Sequence, residues 1–168
     1  EPGRLLVGNA GVLVARVLYV KQGATRTFVI VDAAMNDMIR PALYNAYHAI
    51  WPVRSPAADA RVREVDVVGP ICETGDTFAR ARALPPLHEG DLVVFRTAGA
   101  YGAVMESAYN MRPPAAEVLV RGRDAAVVRP RRTVAQLFAD ESLPKWLVAP
   151  AARRIVKAKK KARRARKR

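Results

Sequence analysis

Six side chains in this 168-residue sequence have the chemistry to hold a small charged molecule and move a proton on it: Arg4, Arg40, Tyr44, Cys72, Glu73 and Tyr101. The guanidinium groups offer planar forks of donors that match carboxylates. Glu73 can pair with an ammonium, the two phenols can donate or accept, and a thiol can act as a general acid. That set suits a zwitterionic substrate charged at both ends. Cys72 is the one cysteine of the chain and is followed at once by Glu73, within Ile71-Cys-Glu-Thr-Gly-Asp76. Gly75 predicts a tight turn there that aims two side chains at one spot. Taken alone, the stretch fits a buried apolar filler cysteine better than a chemical one.

The elements that must position these groups are short. Val65-Asp-Val-Val-Gly-Pro70 reads as the end of a strand running into a loop before Cys72. In Asn36-Asp-Met-Ile-Arg-Pro-Ala-Leu-Tyr44, Pro41 rules out a long uninterrupted helix. A short helical turn is expected instead, with Arg40 and Tyr44 four residues apart on one side. Tyr101 stands among small residues in Ala98-Gly-Ala-Tyr-Gly-Ala103, a setting for a ring clear of the backbone or for an ordinary sheet-edge tyrosine. Glu1-Pro-Gly-Arg4 is a turn signal. Gly8-Asn-Ala-Gly11 offers close packing or backbone N–H groups turned toward an anion.

Elsewhere the pattern predicts a helix passing into a strand over 12–21 and a hairpin return over 26–31. Strands are expected at 50–53, 63–68 and 92–97, and a short helix over 78–84, ended by Pro85-Pro86. A second hairpin is expected over 117–120 and 125–129, then a short helix over 134–138. The many β-branched segments with Gly/Pro turns give a mainly antiparallel β fold with short helices.

Composition narrows the function classes. Hydrophobic residues make up 51% of the chain, enough for a core. A single cysteine excludes an internal disulfide and fits a reducing, cytoplasmic setting. The longest apolar stretch, 5–20, is broken by Asn9 and Arg16 and falls short of the roughly 18 residues of a membrane span. One cysteine with His48 and His88 gives no zinc-ligand spacing, and both histidines read as structural or surface residues. No Gly-rich nucleotide fingerprint and no serine elbow occur. The net charge of +14 is concentrated: residues 148–168 hold eleven Lys/Arg and no acid, which leaves +3 on residues 1–147. Such a tail is expected to be solvated and disordered, or to attach electrostatically to nucleic acid or an anionic surface. The start at Glu1, without an initiator Met, is that of a fragment or a processed chain.

Five motifs taken together, Glu1-Pro-Gly-Arg4, Gly8-Asn-Ala-Gly11, Asn36 to Tyr44, Cys72-Glu-x-Gly-Asp76 and Gly99-Ala-Tyr-Gly102, resemble in order and spacing the C-terminal part of the diaminopimelate decarboxylases. These are pyridoxal-phosphate enzymes of the alanine-racemase-like class that act in lysine biosynthesis. The resemblance implies that residues 1–13 end a (β/α)₈ barrel, that 14–147 form a C-terminal β-barrel or sandwich-like domain, and that 148–168 are an appended tail. It implies cofactor contacts from Glu1, Pro2, Gly3, Arg4 and Tyr101. Arg4, Arg40 and Tyr44 would hold the distal end of meso-diaminopimelate, Tyr101 would lie beside it, and Glu73 would pair with the distal ammonium. Cys72 would be the proton donor once CO₂ has left. In a homodimer, Cys72 and Glu73 would reach the partner's site. Ornithine-type relatives generally carry Asp where Glu73 stands.

The Schiff-base lysine of the family belongs to the barrel, so residues 1–168 alone are expected to be inactive; Lys21 and Lys145 look solvated. The competing readings are a catalytically dead regulatory relative and a basic-tailed nucleic-acid-binding module.

Overall fold

The computed structural model describes residues 1–147, so the basic tail lies outside the described residues. The chain divides into a unit of residues 1–134 and a second unit from Ala135 onward. In the first unit α1 (Pro2–Val7) precedes β1 (Leu13–Gln22), β2 (Thr27–Val31), α2 (Arg40–Tyr44), β3 (Ile50–Pro52), β4 (Arg63–Val68), β5 (Thr77–Leu84) and β6 (Leu92–Phe95). A hairpin of β7 (Glu117–Arg121) and β8 (Asp124–Arg129) follows, and α3 (Val134–Leu137) is a single turn.

Six strands form one sheet in the order β3-β6-β1-β2-β4-β5. All neighbours run antiparallel except β2 and β4, which pair in parallel from Phe28–Asp66 to Ile30–Val68. A parallel pair cannot be joined by a tight turn, so the chain must travel back across the domain between them. Residues 32–62 make that return, and they carry Arg40 and Tyr44. The expected mainly β, antiparallel architecture therefore holds with one exception, and the exception places the site residues.

The sheet also bends back on itself. β5 lies at one edge and β6 next to the other, yet the rings of Phe78 and Phe95 stand with centroids 4.5 Å apart. From the same edge, Arg82 donates a 2.9 Å hydrogen bond to the His48 carbonyl just ahead of β3. The enclosed core contains Val17, Val31, Val67, Val93, Phe95 and Met38, all almost fully buried. Burying each such side chain contributes on the order of 1.5–3 kcal/mol. A barrel-like β domain is the result.

Three local expectations are corrected. Residues 78–84 form strand β5, not a helix. Ala and Arg are good helix formers, but Phe78-Ala-Arg-Ala-Arg-Ala has a period of two, and β4 offers an open ladder that pairs Arg63 with Leu84 and Val68 with Thr77. A bulge at Ala81, with φ +46°, lets the buried carboxylate of Asp66 accept its N–H at 2.8 Å. Glu1-Pro-Gly-Arg4 is the start of α1 and not a turn; proline in the first helical turn has the right φ and no N–H to lose. The helix expected at the start of 12–21 is absent, because β1 is extended from Leu13 and pairs with both β2 and β6. Both hairpins form as expected.

A candidate binding and proton-transfer site on the return crossover

The segment after β2 is a tight knot. Asp37 accepts the Ala34 N–H through Oδ2 at 2.8 Å, and its own N–H returns to the Ala34 carbonyl at 2.9 Å. Its burial pushes the carboxyl above the ordinary 3.8, against the pull of the Ala34 N–H and of Arg112 and Arg131. α2 then starts with Pro41 in its first turn and stops at Asn45, which takes the left-handed conformation at φ +52°. One turn of helix is what the proline allows. It suffices to set the Arg40 guanidinium carbon 5.8 Å from the ring centre of Tyr44.

Tyr101 arrives from the loop after β6. Its backbone is left-handed, φ +57°, and its ring centre lies 5.4 Å from the same guanidinium. Close backbone packing fixes this loop. A Cβ on Gly99 would stand 2.0 Å from the Val7 carbonyl oxygen, and one on Gly11 would stand 2.6 Å from the Gly99 Cα. Thr97 donates to the Asn9 side chain at 3.0 Å, while the amides of Ala98 and Gly99 bond the carbonyls of Gly11 and Gly8. Of the two readings for Gly8-Asn-Ala-Gly11, close packing is the one realised. It ties the end of the α1 segment to the loop that bears Tyr101.

Arg40, Tyr44 and Tyr101 thus come together, with the guanidinium within about 6 Å of two phenol rings, and a guanidinium held near aromatic faces can still offer planar N–H donors to a carboxylate. Arg4 lies on exposed α1 and forms an ion pair with Glu1 at 3.2 Å. Gly3 has open space where a Cβ would project. Glu1, Pro2, Arg4 and Leu5 line a shallow cleft.

Cys72 and Glu73 sit at the tip of the loop from Gly69 to Asp76, and both are exposed. The turn was expected to depend on Gly75. Gly75 is not among the residues with left-handed backbone, and the turn is held by Asp76, a residue that sequence reasoning passed over as a motif letter. Its carboxylate accepts the N–H of Ile71 at 2.8 Å and that of Met35 at 2.7 Å. Its own N–H bonds the Glu73 carbonyl, and its carbonyl accepts from Gly69. Asp76 is 3% exposed, and burial raises its pKa above 3.8 despite those amides and Arg112. A Cβ on Gly69 would stand 2.3 Å from this carboxylate, so Gly69 is there for space. Asn36, also buried, makes a second tie: its side-chain amide donates to the Ser107 carbonyl at 3.1 Å, and its backbone carbonyl accepts from the Ser107 N–H at 3.0 Å. The available signal for both residues was a short polar side chain beside a turn, which bonds backbone readily.

His48 is a core residue, with Nδ1 2.9 Å from the Arg96 carbonyl. His88 is exposed beside Asp91. Both match the structural and surface readings.

The sequence and the fold have known relatives. Residues 5–99 match the family described as pyridoxal-dependent decarboxylase, C-terminal sheet domain. The diaminopimelate decarboxylase of Pseudomonas fluorescens is 57% identical over 143 residues, which cover 85% of this chain and 34% of that protein. The Zymomonas mobilis enzyme is 50% identical over 147 residues, covering 88% and 34%. In structure, diaminopimelate decarboxylase from Helicobacter pylori complexed with L-lysine superposes with a TM-score of 0.74 at 41% identity, over 81% of this chain and 33% of that one. The chain spans about a third of the length of the curated relatives it matches.

Proposed function

On the premise that the chain belongs to the pyridoxal-dependent decarboxylases, matching their C-terminal sheet domain, we propose that it supplies the substrate-recognition and proton-donor half of a diaminopimelate decarboxylase. The intact enzyme would convert meso-diaminopimelate to L-lysine and CO₂. The observation that carries this reading is the Arg40 guanidinium close to both Tyr44 and Tyr101. It is a braced cation suited to a carboxylate that stays on the substrate while another is lost. Relatives named diaminopimelate decarboxylase, at 50–57% identity, support the choice of substrate.

Pyridoxal phosphate would supply the electron sink for decarboxylation. The residues present fit part of its site. Tyr101 has a hydroxyl on a loop that packing fixes, and the open space at Gly3 beside Arg4 leaves room for an anion. Glu1 and Pro2 would shape the approach. The lysine that would bond the cofactor is not provided by the first unit. Lys21 is the eighth position along β1 after Leu13, roughly 25 Å of strand at about 3.3 Å per residue, whereas the Tyr101 loop is tied to Gly11 just before Leu13. Residues 1–13 would therefore close a preceding barrel that carries this lysine, and 14–147 would be the β-domain. Leu5 and Leu6 on α1 are 82% and 77% exposed, an apolar face consistent with burial against such a barrel.

Arg40 with Tyr44, and Arg4, would grip the distal carboxylate. Glu73 would pair with the distal ammonium. A site with a charged partner for each end rejects a substrate lacking one, because a buried charge without its partner is costly. Cys72 would deliver the proton to the carbon that has lost CO₂. Both Cys72 and Glu73 point from an exposed loop, which supports their donation to the partner's site in a homodimer. No helix among the described residues is long and apolar enough to cross a membrane.

Release of CO₂ by the intact enzyme from meso-diaminopimelate, ornithine and arginine, with pyridoxal phosphate present, tests this reading. Diaminopimelate is expected to be the preferred substrate by at least about 100-fold in kcat/KM. Equal or better turnover of ornithine would reject it.

A further inference from the structure

Asp76 is more buried than any other acidic residue among the described residues, and the chemistry above gives it no task. It bonds amides from two different loops, Ile71 on its own and Met35 on the return crossover. The next residue, Asn36, is bound in both directions to Ser107, six residues beyond Tyr101. Arg40 begins α2 four residues after Asn36. Two hydrogen-bonded ties, joined through the Met35–Asn36 peptide, therefore link the loop of Cys72 and Glu73 to the segment that leads to Arg40 and to the chain just past Tyr101.

We propose that Asp76 is a positioning residue that, through Met35 and Asn36, locks the proton-donor loop to the Arg40–Tyr44–Tyr101 cluster. The proposal rests on the site reading above. Only a carboxylate does this job in the space available. It accepts two N–H groups at once, whereas an amide of the same shape has one acceptor oxygen and must turn its NH₂ toward the other donor. The missing Cβ of Gly69 makes room for that carboxylate, since a methyl would lie 2.3 Å from it. The raised pKa is consistent with a group kept where burial disfavours its charge.

The exchange rates of the Met35, Ile71 and Ser107 amides, measured in the full chain, give the first test. All three are expected to exchange at least about 100-fold more slowly than unstructured amides. In Asp76→Asn, Met35 or Ile71 should lose protection while Val17 and Val93 in the core keep theirs. Unprotected Met35 and Ile71 in the unsubstituted chain would overturn the proposal.

The second test is a double-mutant cycle in the intact enzyme. Asp76→Asn is expected to lower kcat by roughly 10- to 100-fold, the scale of an ångström-sized misplacement. Cys72→Ala should then cost far less in the Asp76→Asn background than in the wild type. A merely structural Asp76 leaves the two effects additive, which would overturn the proposal. If Cys72→Ala does not slow the enzyme at all, the site reading itself fails. Should Asp76→Asn not fold, Asp76→Glu enters the same cycle, keeping the charge and displacing the carboxylate by one methylene.

Discussion

The two halves of the candidate site differ in how the fold treats them. Arg40, Tyr44 and Tyr101 meet within one chain, with a half-buried guanidinium near two rings on segments fixed by backbone contacts. Cys72 and Glu73 stand exposed on a loop whose base is rigid and whose tip is turned outward. A loop that served only its own chain would gain by folding its apolar thiol inward. A stiff base beneath an exposed thiol and carboxylate instead suits a surface delivered to another protein surface. Under the proposed function, the contrast makes binding and proton donation separable parts, joined by Asp76 and Asn36.

The comparison breaks most readily on the binding side. Gly99→Ala places a methyl 2.0 Å from the Val7 carbonyl oxygen and is expected to destabilise the chain by about 3 kcal/mol, seen as a lower denaturant midpoint. An unchanged midpoint would mean that the Tyr101 loop is not fixed by this contact. A milder change sharpens it: Arg40→Lys keeps the charge but loses the planar guanidinium near the rings, and should weaken substrate binding by about 1 kcal/mol. Isothermal titration checks this, and equal affinity would show that only charge matters there.

The smallest effect is acid-dependent. Asp37 and Asp76 both have folded-state pKa values raised above 3.8 by burial. Between 3.8 and those raised values the folded chain binds more protons than the unfolded one. The stability they contribute is thus complete below 3.8 and is lost as pH climbs through the folded values. Relative to Asp76→Asn, the wild-type melting temperature should fall across that window; a gap independent of pH would contradict it.

Much of this was legible in the residues. The hairpins followed from Gly-containing turns between β-branched runs, and Pro41 limited α2 to one turn. The strand at 78–84 was hidden because its Ala and Arg residues favour helix locally, while the ladder edge of β4 that overrides them is formed by the tertiary fold. The parallel β2–β4 pair was likewise invisible, since direction between distant strands is not encoded in either one. The grouping of Arg40 with Tyr44 could be read from their spacing. Tyr101 joins them across 57 residues of chain, through packing that glycines permit but do not announce. Asp76 was seen and its task was not, because an acidic residue beside a turn is usually solvated, and only its burial reveals the two amides it holds.

Donation of Cys72 across a dimer is the claim on which most depends, and hybrid assembly tests it directly. Mixing Cys72→Ala with Arg40→Ala subunits of the intact enzyme, each expected to be strongly impaired alone, produces dimers in which one site has Arg40 from one chain and Cys72 from the other. If Cys72 acts on the partner's site, a statistical mixture recovers up to about a quarter of wild-type activity, since half the dimers are mixed and each has one whole site. If Cys72 serves its own chain, every site keeps one defect and the mixture stays at the level of the separate variants.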